Sequence, residues 1–137
     1  MIINLTQHPA SPDQIAAGVV DCGRLQLLQQ WLTFESLPTR DEIEDRAGKL
    51  ANLARAEIEA TFNFCGWLPR NARPFAYRAM IGGAPYLMAP LERELRKYGI
   101  EPVYAFSLRE SLDQPQADGS VRKINVFLHA GFVSAEA

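Results

Sequence analysis

Three stretches predict an α/β fold: a Rossmann-like three-layer sandwich, mostly parallel sheet with a C-terminal antiparallel hairpin. In the first, Arg78-Ala-Met-Ile81 reads as a buried strand, Gly82-Gly83 as a turn and the residues up to Gly99 as a helix, with another strand following at once over 102–108. That is a β-α-β unit, whose crossover makes the two strands parallel and the connection right-handed. The second stretch is Ile2-Ile-Asn-Leu5, short and apolar, which suits a buried first strand. The third is the turn over 114–120, with Pro115 and Asp118-Gly119, from which residues 121–132 return as an antiparallel partner.

At 137 residues the chain is long enough to bury one core, so 1–137 is read as one domain. A net charge of -2 gives no electrostatic footprint for duplex nucleic acid, while leaving room for a locally positive nucleotide pocket. The start Met1-Ile-Ile-Asn-Leu-Thr6 lacks the basic and apolar regions of a signal peptide. No apolar run approaches the roughly 20 residues of a membrane span, so a cytoplasmic protein without a membrane partner is expected. Cys22 and Cys65 have no second metal-ligand pair nearby and read as small buried thiols.

Along the chain, Ser11-Pro-Asp-Gln14 carries a capping serine, a proline for the first helical position and an early acid, predicting a helix from Pro12 that ends by Gly18. Val19 and Val20 are a short strand or a buried link, and residues 24–31 have the spacing of a short amphipathic helix. Alternation over 32–37, ended by Pro38, predicts a half-buried strand. Thr39 and Glu42 form a capping box for a helix over 40–61, whose apolar stripe is Ile43, Ala47, Leu50, Ala54 and Ile58. Its charges, Asp45 with Lys49 among them, read as a solvated face rather than catalytic carboxylates. Residues 63–74 form a loop in which Trp67 either stacks on a base or pins the loop to the core, and Arg70 or Arg73 is a candidate for phosphate. In the helix before Gly99, Leu87, Leu91 and Leu95 mark the buried stripe, and Pro90 is expected to remove a hydrogen bond and make the helix begin twice.

The chemistry is expected at the carboxyl ends of the strands, where ligands of such sheets sit. Gly82 and Gly83 lie there, permitting close backbone approach and presenting helix amides to an anion. Thr6, Gln7 and His8 occupy the equivalent place after the first strand, and Ser107 and Arg109 emerge at the end of the strand over 102–108. His8 is better placed than His129 for proton transfer, and neither makes a metal site alone. There is no Walker loop, G-x-G-x-x-G, HExxH or G-x-S-x-G motif.

Met80-Ile-Gly-Gly-Ala-Pro-Tyr-Leu-Met88, the helix to Gly99 and the strand through Tyr104 resemble the glycine-turn unit of CRISPR-associated Rossmann-fold (CARF) domains, which bind cyclic oligoadenylates. Asn4-Leu-Thr-Gln-His-Pro9, with Ser11 and Gln14, is similar to the start of small stand-alone CARF-like proteins, some of them ring nucleases. The chain departs from the pattern at Ala84 and Pro85, where CARF domains commonly carry threonine and lysine. The resemblance implies a homodimer that binds a cyclic nucleotide, without metal or other cofactor. In a ring-opening reaction a ribose 2′-hydroxyl would attack its adjacent phosphate, with His8 and Arg109 as catalytic groups. Thr6, Ser11, Gly82, Gly83 and Ser107 would be the ligand-binding residues. Two other readings stand beside it: a module that captures the nucleotide without transforming it, and a protein-interaction factor that inhibits a defence complex through the Trp67 loop and the final apolar strand.

Overall fold

A computed structural model describes residues 1–62 and 77–135. The loop over 63–74, with Cys65, Trp67, Arg70 and Arg73, lies outside the described residues. The order of elements is β1 (Ile2–Asn4), α1 (Pro12–Ala16), β2 (Val19–Asp21), α2 (Leu25–Leu32), α3 (Arg40–Phe62), β3 (Tyr77–Met80), α4 (Pro85–Lys97), β4 (Ile100–Pro115) and β5 (Val121–Ser134). They form an α/β fold around one five-stranded sheet of order β2-β1-β3-β4-β5. The first four strands are parallel, and β5 returns antiparallel to β4.

Both faces of the parallel strands are buried, which is why Ile2 and Ile3 are apolar in succession rather than alternating with polar residues. Ile3, Leu5, Ala79, Ile81 and Ile100 meet the layer of α2, α3 and α4, which supplies Leu28, Leu50, Ala54, Ile58, Leu87, Leu91 and Leu95. Ile2, Val19, Met80 and Val103 point to the opposite face, where they gather Ala10 and the half-covered Phe132. This second layer is thin, since α1 is five residues long and buries none of them.

Most helix ends follow from the sequence. Ser11 caps α1 with a full capping box to Gln14, and the amide of Glu42 donates to Thr39 Oγ1 (3.1 Å) at the start of α3. The charges of α3 pair one turn apart, Arg46–Glu42, Lys49–Asp45 and Arg55–Glu59 each at 2.9 Å; Lys49–Asp45 is the solvated pair expected, whereas the other two are partly covered. Contrary to expectation, α4 is continuous through Pro90. The proline sits early in the helix, and the carbonyl left without its amide belongs to the solvent-facing Tyr86.

A strand over 32–37 does not form. Leu32 closes α2, and the alternation has another cause: Leu32 is buried, Phe34 packs edge-on against Tyr86 and under the Arg46 guanidinium, and Leu37 is 96% exposed. Arg46 Nη1 also donates to the carbonyls of Gln30 and Thr33, so the backbone here is satisfied by a side chain rather than by a neighbouring strand.

The largest departure lies in β4. It continues past Leu108 to Pro115, 16 residues in all, because β5 pairs with it along the whole way to Pro115 opposite Val121. Beyond Ala105 the two strands leave the sheet as a two-stranded arm. The arm closes in a turn where the Gly119 amide donates to the Gln116 carbonyl (3.1 Å) and Asp118 accepts from Ser120 N and Oγ at 2.9 and 2.6 Å.

Candidate functional site

A crevice of about 420 Å³ opens at the carboxyl edge of the parallel strands, lined by Thr6, His8, Pro9, Gln14, Met80, Ile81, Gly82, Tyr104 and Ala105. Its position follows from topology. The chain crosses from β1 to β2 on one side and from β3 to β4 on the other, so the loops after β1 and β3 diverge and leave a gap between them.

The loop after β1 is held by Asn4, a buried polar residue in an otherwise apolar strand. Asn4 Nδ2 donates to the His8 carbonyl (2.8 Å) and to Asp21 Oδ1 (2.9 Å), while its Oδ1 accepts from Thr6 N (2.9 Å) and Thr6 Oγ1 (2.7 Å). Asp21 Oδ1 accepts a further bond from the Ala10 amide (2.9 Å). The amide side chain thereby satisfies both its donors and acceptors and folds residues 6–10 over the end of β1. On the other wall, a Cβ built on Gly82 would stand 3.6 Å from Thr6 Cγ2, so the two loops touch across the crevice.

The residues expected to share this site separate into three groups. Thr6, His8 and Gly82 are brought together. Gly83 and Ser11 are adjacent but turned to other tasks: Gly83 has φ +143° with its missing Cβ directed at Leu32 and Met88, and Ser11 Oγ accepts from the Gln14 amide as the helix cap. Ser107 and Arg109 lie on the arm. They keep the sheet face of Ala105, two and four residues further on, which places them roughly 7 and 13 Å beyond the crevice wall along the strand. His129, opposite Ser107, shares that face and packs its ring on Phe132 at 4.8 Å between centroids.

The crevice is neutral, with no lysine or arginine among its lining residues. Pro85, at the start of α4, has no amide, and the Leu87 amide donates to the carbonyl of the N-cap residue Ala84 (3.0 Å), so few helix amides are left for an anion. No group of three or more His, Cys, Asp or Glu that could hold a metal occurs among the described residues. Asn4, Gln14 and Tyr104 were not expected here. Asn4 had a signal, as the polar member of an apolar strand, whereas Tyr104 was hidden in a strand pattern that core packing explains equally well.

Tyr104 supplies a measurable property of this wall. Its hydroxyl donates to Glu92 Oε1 on α4 (2.5 Å), and burial first, then this acceptor and its charge, push the phenol well above its ordinary value near 10. The raised folded value means that Tyr104 contributes stability below pH about 10 and loses it as pH rises through the folded value. Melting curves of wild type should therefore fall above that pH, and Tyr104→Phe should remove part of the fall; parallel curves would refute the assignment.

Fold and crevice together define an α/β protein with a neutral cleft at the switch point of its sheet. Among the described residues no helix is long and apolar enough to cross a membrane. Residues 1–133 match the family described as "Uncharacterized protein MJ1673 family", and the chain belongs to it. Comparison with curated proteins and with solved structures gave no match.

Proposed function

We propose that this chain binds a nucleotide of the cyclic oligoadenylate type at the carboxyl edge of its sheet. The observation that carries the reading is the crevice where β1 and β3 diverge, with Thr6 and Gly82 meeting across it; its volume is that of a small-molecule site. Its neutral lining suits a base and ribose, and Arg109 stands beyond its carboxyl edge on the arm, on the sheet face of Ala105. A ring of several nucleotides reaches from one to the other more readily than a mononucleotide does. The scarcity of cations and free helix amides inside the crevice favours capture over cleavage. Ring opening is the second reading, supported by the exposed His8 imidazole at the crevice mouth beside Thr6.

Calorimetry with cyclic tetra- and hexaadenylate, AMP and ATP, followed by chromatography of the recovered ligand, tests both. Binding of a ring is expected, weakened at least tenfold (about 1.4 kcal/mol) by Gly82→Val with an unchanged melting temperature. Intact ligand means capture. A linear product that disappears in His8→Ala means ring opening. Absence of binding across the panel removes both readings.

A further inference from the structure

The two faces of the β4–β5 arm are unlike. Residues opposite one another in register share a face, so one side carries Phe106, the Leu108–Leu128 pair, Glu110–Val126, Leu112–Ile124 and Gln114–Arg122. The other carries Ser107, Arg109, Ser111, Asp113, Lys123, Asn125 and His129, with Phe127 (71% exposed) and Val121 as apolar members set singly among them. The first is an apolar stripe in the open. Phe106, Leu108, Leu112 and Leu128 are 50, 55, 45 and 42% exposed. A two-stranded ribbon is at best marginal alone in water, and three strands or a packed apolar face are needed to hold it.

We propose that this stripe is the two-fold interface of a homodimer, in which two arms stack antiparallel, apolar face on apolar face. Three observations select a second copy as the occupant. With the half-covered Ile124 and Val126, the exposed side chains leave roughly 500 Å² of apolar surface, so two stacked copies cover about 1,000 Å², the threshold of a specific interface. The charged residues among those pairs are Glu110 and Arg122, one of each sign, so two copies meet without net repulsion. Finally, the stripe continues the sheet face to which Tyr104 belongs, and Tyr104 bonds to Glu92 of α4, so the helical layer stands on the same side. Arm and helices thus form a step. A second sheet layer stacks about 10 Å away, and parallel arms would drive two helical layers into each other, whereas an antiparallel arm fills the step of its mate. The arrangement is isologous, with its axis across the strands near the Leu112–Ile124 pair.

This inference is independent of the nucleotide reading. Sedimentation equilibrium of the full chain at micromolar concentration should give twice the 15.3 kDa chain mass. Leu112→Lys and Leu112→Glu should each give monomers with wild-type circular dichroism, and Ser111→Lys, on the opposite face, should remain dimeric. Because position 112 lies near the axis, an equimolar mixture of the Lys and Glu variants should recover the dimer mass. A monomeric wild type, a dimer indifferent to Leu112→Lys, or a mixture that stays monomeric would each overturn the proposal.

Discussion

Replacing Asn4 by leucine should lower the melting temperature by about 10 °C although the two side chains are close in size. Four hydrogen bonds converge on the Asn4 amide, and leucine leaves the Thr6 amide without its acceptor and takes one of two donors from the His8 carbonyl and one of two from Asp21 Oδ1, at a site where water has little access. Each such bond contributes about 1 kcal/mol net and each stranded buried group costs about 1–3 kcal/mol, so a loss near 3 kcal/mol is expected after local relaxation. Amide exchange at Thr6, Gln7 and His8 should quicken with it. Asn4→Asp gives a sharper control, because it sets a second carboxylate against Asp21. Mutual repulsion raises the folded carboxyl value, so that variant should be weakest at neutral pH and regain stability as pH falls toward about 4. A melting temperature of Asn4→Leu within about 2 °C of wild type would show that the network does not hold the loop.

Gly83→Val should also unfold the protein more easily, by about 3 kcal/mol. From the sequence, Gly83 was expected to permit close approach of an anion to the backbone. In the structure the open side of its α-carbon faces Leu32 and Met88 instead. At φ +143° a valine backbone is strained, at a cost of about 1–3 kcal/mol, and its methyl groups would be driven toward Leu32 Cδ2 and Met88 Cε, each 3.7 Å from the position of the Cβ alone. Its neighbour behaves oppositely, since Gly82 is not among the positive-φ glycines and its open side faces Thr6 in the crevice. Denaturant titration of Gly82→Val, Gly83→Ala and Gly83→Val should rank them in that order of increasing loss. Equal losses at the two positions would contradict the assignment of one glycine to the core and the other to the crevice.

These two glycines show where sequence reasoning stops. A Gly-Gly pair between a strand and a helix announces a turn, but which α-carbon faces the ligand side depends on the turn's dihedral angles, which no pattern of residue types encodes. The parallel sheet was legible because its signals are local: an apolar run, a turn, a 3.6-residue period and another apolar run. Residues 32–37 misled for the same reason, since alternation records which side chains are covered and not by what; an arginine from α3 replaced the missing strand. The reach of β4 was hidden because Arg109, Ser111 and Asp113 look like a strand's end, although polar residues are ordinary on one face of a ribbon. Ser107 and Arg109 were consequently expected nearer the crevice than they stand.

The arm has a further consequence for the order of assembly in the cell. The strands of the parallel sheet, with the helices described between them, lie ahead of Tyr104 in the chain, and the arm follows them. Synthesis proceeds from the amino terminus, so the sheet's interior has its partners before the ribbon is released. Sequential production of that kind keeps the apolar ribbon out of reach during collapse of the body. It also makes early termination informative: a chain stopped just after Val103 would retain the register of β1, β2, β3 and the root of β4, and would lose the surface on which self-recognition depends.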